Sequence, residues 1–85
     1  MTNGERIKYL REKNGFTQKD IATKLGVEPA AISKYELDMR EPNIEALKKL
    51  ATIFNVSIDY LLGRTSDVFT SEADKDVLDL SLIKD

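Results

Sequence analysis

The side chains best suited to chemistry in this sequence lie in one stretch, QKDIATKLGVEPAAISKYEL at 18–37, and that chemistry is recognition rather than bond-making. Ser33 can donate and accept hydrogen bonds, Lys34 can donate to an acceptor edge or an anion, and Glu28 can only accept when ionised. Ala30 offers a methyl-sized apolar contact. With Pro29 these residues occupy the outer side of a short helical segment whose inner side carries Ala31, Ile32 and Tyr35. Cys and His are both absent, which removes disulfides, thiolate nucleophiles, Cys/His zinc sites and imidazole acid–base catalysis. A chain of 85 residues buries only about 60 to 65% of its unfolded surface and leaves little room for an enclosed cleft. The expectation is a protein that is not an enzyme and holds no metal or cofactor.

The elements that must position these side chains are read from apolar spacing and from stop signals. Gly15, Gly26 and Gly63 each follow an apolar periodic segment, where a helix commonly ends on a left-handed residue. Thr2 with Glu5 matches a capping box, with Asn3 an equal cap candidate, ahead of Ile7, Tyr9 and Leu10. Thr17 with Asp20 opens a second helix carrying Ile21, Ala22 and Leu25. A third runs from Pro29 to about Leu37. Asn43 caps a fourth containing Ile44, Leu47, Leu50, Ala51 and Phe54, and Ser57 caps a short fifth holding Leu61 and Leu62. Residues 1–63 contain no alternating pattern long enough for a strand, so the fold class is all-α, a compact five-helix bundle. Arg64 to Asp67 read as a linker into an acidic C-terminal segment, 64–85. Beyond it, Ser71 with Asp74 suits one more helix with Ala73, Val77 and Leu80 inward, while Val77, Leu78, Leu80 and Leu82 equally suit a strand.

Within 18–37 the steric pattern is specific. Two helices of about eight residues flank a turn of roughly three to four residues, the spacing of a helix-turn-helix. Ala22 stands where the second helix of the pair crosses the first, and Gly26 occupies the turn. Ile21, Leu25, Val27, Ile32 and Tyr35 are expected to bury between the helices. A helix with that inner face presents Glu28, Pro29, Ala30, Ser33 and Lys34 outward, and it fits a major groove about 12 Å wide. Such a reader is poor in hydrogen bonds, so part of its selectivity is expected from DNA shape.

Charge neither advertises nor excludes a polyanion. The net charge is −2, yet residues 1–63 hold ten Lys and Arg against nine Asp and Glu, while 64–85 hold three against six. What matters is where cations cluster. Apolar runs are far short of the ~20 residues of a membrane span, and the first residues lack the pattern of a signal peptide, so a cytoplasmic protein without a membrane partner is expected.

On the motifs RIKYLREKNGFTQKDIATKLGV, ISKYE, EPNIEALKKLATIFNVS and DYLLG, the chain over residues 5–63 resembles the Xre-type, lambda-repressor and Cro-like helix-turn-helix family. The resemblance implies a lambda-repressor-like DNA-binding domain over 1–63, in a bacterial or phage repressor that binds a two-fold double-stranded DNA operator as a homodimer. It makes Gln18 a backbone-contact and bracing residue, beside Lys19 at a helix start whose free amides favour an anion. It places Arg40 and Asn43 against the opposite phosphate strand, with Lys24 and Lys34 as lesser candidates. It pairs Arg11 with Glu36 as scaffold. Glu28 departs from the Ser or Thr common in the family, and it is read first as an extended residue ahead of Pro29 that complements the helix dipole.

Other residues have structural readings. Tyr35 is expected in the core rather than stacked on a base, Lys48 and Lys49 on a solvated face, and Asp67, Glu72, Asp74, Asp76 and Asp79 solvated without a metal. Ile58, Tyr60, Leu61, Val68 and Phe69 are expected at a dimer contact. The competing function is a protein-interaction or antitoxin-like module, with segment 64–85 docking an antirepressor or another protein partner.

Overall fold

The computed structural model describes residues 1–68; the expectations placed on Phe69, on Ser71 to Leu82 and on most of the acidic segment lie outside them. Five helices follow one another: α1 (Asn3–Lys13), α2 (Gln18–Leu25), α3 (Pro29–Glu36), α4 (Ile44–Phe54) and α5 (Ile58–Leu61). No strand occurs among the described residues. Cap chemistry explains where the helices start. Thr2 accepts from the Glu5 amide while the Glu5 carboxylate accepts from the Thr2 amide, and Thr17 and Asp20 repeat this capping box on α2. Asn43 and Ser57 cap α4 and α5 through single side-chain acceptors. Glu28 precedes α3 in extended backbone and caps nothing with its side chain, as expected of a residue ahead of proline.

All five helices stop the same way. A residue with positive φ follows each, namely Gly15, Gly26, Asp38, Asn55 and Gly63. The next amide then donates to the carbonyl five residues back: Phe16 to Arg11, Val27 to Ala22, Met39 to Lys34, Val56 to Ala51 and Arg64 to Asp59, at 2.9–3.0 Å. These are Schellman terminations, which satisfy carbonyls left open at a helix end. Two of the five use Asp and Asn, the side chains other than Gly that tolerate the left-handed region best.

The core draws Ile7 and Leu10 from α1, Ile21, Ala22 and Leu25 from α2, Ala31, Ile32 and Tyr35 from α3, Ala46, Leu50, Ala51 and Phe54 from α4, and Leu61 from α5. Four expectations are corrected. Ile44 is 56% exposed although it shares a face with the buried Ala51 seven positions on; it is the first residue of α4, where the helix enters from the connection. Tyr9 is exposed because it stands two positions after Ile7, about 200° round α1, and it lies under the Lys13 ammonium at 5.7 Å. Val27 is 37% exposed, since the left-handed turn at Gly26 carries it off the inner face of α2. Leu61 is 1% exposed and therefore belongs to the core and not to a contact with a second chain. Among the described residues no helix is long and apolar enough to cross a membrane.

Candidate nucleic-acid interface

The α2–turn–α3 unit packs around Ala22, which is 1% exposed at the helix crossing. On α3 the residues Ala31, Ile32, Tyr35 and Glu36 are buried, whereas Glu28, Pro29, Ala30 and Lys34 are exposed and Ser33 is half-buried. The helix is thus divided along its length into a clamped back and an open front. That division follows from the 3.6-residue period, which puts positions 29, 30, 33 and 34 away from the 31–32–35 stripe, while Glu28 is exposed because it precedes the helix in extended backbone.

The clamp includes a charged network. Arg11 Nε donates to Glu36 Oε2 at 2.6 Å and its Nη2 donates to Oε1 at 3.2 Å, while Nη1 donates to the Phe16 carbonyl at 2.9 Å. Gln18 Nε2 adds a bond to Glu36 Oε1 at 3.0 Å. The two ionic side chains are 11% and 3% exposed. The hydrogen bonds it donates to Glu36 push the Arg11 guanidinium above its ordinary range, more than burial pulls it down. Gln18 is therefore a brace that ties the start of α2 to the end of α3.

Around the open front, Lys19 is exposed in the first turn of α2, and Arg40 and Asn43 are exposed in the α3–α4 connection. The Arg40 guanidinium lies 6.0 Å over the Tyr35 ring, which steadies it beside the last turn of α3. Asn43 Oδ1 is occupied by the Ala46 amide at 2.9 Å, so only its amide NH2 is left for an outside acceptor. Lys24 sits over the Phe16 ring at 5.4 Å. Gln18 and Ser33 line a common groove between α1 and α3, and Lys8 lines it too. Lys8 was not singled out from the sequence, because only the packing of α1 on α3 brings it beside Ser33. Among the described residues no group of three or more acidic or otherwise metal-ligating side chains is placed to hold a metal ion.

A family model described as helix-turn-helix matches residues 7–61. The chain belongs to that helix-turn-helix family. Among curated members it is 43% identical over 74 residues to the HTH-type transcriptional regulator ImmR of Bacillus subtilis (strain 168), a match taking in 87% of this chain and 58% of that one. The chain spans about three fifths of the length of the curated relatives it matches. Among solved structures it is similar to the P22 c2 repressor in complex with a synthetic operator, at 39% identity and a TM-score of 0.70, covering 73% of this chain and 94% of that one. It is also similar to the SinR–SinI protein complex, at 30% identity and a TM-score of 0.68, covering 95% and 80%. The all-helical, lambda-repressor-like architecture expected from the motifs is the architecture of these neighbours.

Proposed function

We propose that the chain is the DNA-binding part of a transcriptional regulator, a repressor that works by occupying a two-fold double-stranded operator and needs no catalysis. The observation that carries this reading is the division of α3, buried along Ala31, Ile32 and Tyr35 and open along Glu28, Pro29, Ala30, Ser33 and Lys34. The likeness to a repressor solved on its operator supports it. In this reading the open front enters the major groove. Ser33 and Lys34 meet base edges, Ala30 contacts a thymine methyl, and Glu28 and Pro29 stand at the groove floor. Gln18, Lys19, Arg40 and Asn43 hold phosphates on either side. Two copies would place their α3 helices about 34 Å apart, one helical turn of DNA. Action on DNA implies a cytoplasmic setting.

Selection of bound duplexes from a random pool tests the reading. With about four or five phosphate contacts per subunit, log affinity should fall with log salt at a slope of roughly −4 per subunit. Lys34→Ala should relax preference at one base position and cost ~1 to 3 kcal/mol if Lys34 reads a base. Uniform weakening over all sequences would instead make it a phosphate contact, and no retention of any duplex at low salt would sink the reading.

A second reading is a module that binds another protein. It is favoured by the likeness to the SinR–SinI complex, which extends over 95% of this chain, and by the acidic excess in 64–85. In that case an antirepressor-like partner would bind through the C-terminal segment, and removing residues 64–85 would abolish partner binding without loss of the helical bundle.

A further inference from the structure

The connection that carries Arg40 starts from an unusual residue. Asp38 has φ 60, a left-handed backbone region that strains an ordinary side chain. It also closes the α3 termination, donating its amide to the Tyr35 carbonyl at 3.1 Å while Met39 donates to Lys34 at 2.9 Å. Its side chain reaches across the molecule. Oδ1 accepts from the Gly4 amide at 2.9 Å and Oδ2 accepts from the Thr2 hydroxyl at 2.6 Å. That same hydroxyl accepts from the Glu5 amide at 3.0 Å. An α1 amide and the cap residue are thereby held by a carboxylate from the end of α3, at the helix end where negative charge is favoured. Gly4 lets the two elements approach. A Cβ there would collide with the carbonyl oxygens of Tyr35 and Glu36 and come within 2.8 Å of Asp38 Oδ1.

We infer that Asp38 is a positioning residue for DNA binding, a latch that fixes the α3–α4 connection to the amino end of α1 and so holds Arg40 where it meets a phosphate. This rests on the DNA reading above and on Arg40 as a phosphate contact. The left-handed backbone at Asp38 sets the direction in which Met39 and Arg40 leave α3, and the two side-chain bonds remove the freedom of that joint. A glycine would accept the same φ without strain, yet it would leave the joint free to swing and the Gly4 amide without its partner. The carboxylate therefore adds order that the helix termination by itself does not require.

The test is a double-mutant cycle on affinity for a duplex recovered from the random pool, at a temperature where circular dichroism shows every variant folded. Asp38→Gly is expected to weaken binding roughly five- to tenfold and to reduce the salt slope by about one, as loss of one phosphate contact does. Arg40→Ala should then cost less than half as much in the Asp38→Gly background as in the native chain, since contacts that act through one another are not additive. Asp38→Asn keeps an acceptor for Gly4 and tolerates the same φ, so it should bind within about twofold of the native chain. Thr2→Val, which removes one of the two bonds and leaves Asp38 in place, should weaken binding in the same direction and by less. If Asp38→Gly binds like the native chain while folded, or if the cycle is additive, the latch is overturned and the DNA reading stands. If Arg40→Ala has no effect in the native chain, the coupling to Arg40 is overturned, again without touching the DNA reading. A native chain that retains no duplex overturns both.

Discussion

At the scale of single residues, the decisive feature is how few groups bear the polar cost of the interior. Glu36 is the one buried charged residue among those described, and it is satisfied by Arg11 and Gln18 together. Removing the cation leaves a carboxylate buried with a single amide donor, and that is costlier than never having had the pair. Arg11→Met should therefore lower stability by about 3 kcal/mol, at the low end for a buried pair because Arg11 keeps some contact with solvent. The urea midpoint measures this. Arg11→Met combined with Glu36→Leu should recover most of the loss, and a double variant as unstable as the single one would show that packing around Arg11 matters more than charge. The resemblance located this pair by position. The third partner, Gln18, acts as a brace on the same carboxylate, a role that depends on α2 and α3 meeting.

At the scale of elements, stability is set at the helix ends. The helices run only four to eleven residues, lengths at which an isolated helix is marginal in water, so each relies on its caps and on packing. In α2 the Thr17 backbone amide and then the Thr17 hydroxyl hold the Asp20 carboxyl below its ordinary range. A lowered value means that the folded state favours the ionised form. Its contribution is therefore complete above the ordinary carboxylate range and is lost as pH falls through the lowered value. Thermal unfolding of the native chain and of Asp20→Asn, followed from pH 7 to 2, should show a gap that is present at neutral pH and closes below about pH 4. Thr17→Ala should cost ~1 kcal/mol through the lost cap. A gap that persists unchanged in acid would assign the effect of Asp20 to something other than its charge. The starts of four helices were legible because Thr, Asn and Ser announce them, that of α3 because Pro29 does, and three stops were legible as Gly. The stops at Asp38 and Asn55 were missed, although an Asp or Asn just after an apolar stripe is a signal that could have found them.

At the scale of the whole molecule, incompletely buried apolar side chains gather at the α5 end. Ile58 and Tyr60 are half-buried against the core and Val68 is 40% exposed. The chain beyond Gly63 turns back there, with the Val68 carbonyl accepting from the Ser57 amide at 2.8 Å. Arg6 stiffens the same end, since its guanidinium lies 5.9 Å over the Tyr60 ring and also reaches the Leu61 carbonyl. If the homodimer forms through this face, sedimentation across a concentration series should show mass rising toward twice the monomer. Val68→Glu should shift the midpoint by about tenfold, or ~1.4 kcal/mol. A strict monomer at high micromolar concentration would move the contact elsewhere or remove it.

The sequence by itself determined what depends on neighbours along the chain. The number and order of helices, their caps, the α2–turn–α3 spacing and the two-faced character of α3 all follow from the 3.6-residue period and from side chains that bond backbone groups within a few positions. Tertiary structure alone decided which apolar residues face inward where the period is broken or drifts, as at Val27, Ile44 and Leu61. It alone brought Asp38 to Thr2 and Gly4, more than thirty positions away. A contact between remote segments is set by how helices cross, and that depends on the summed shape of the core, which no local pattern records.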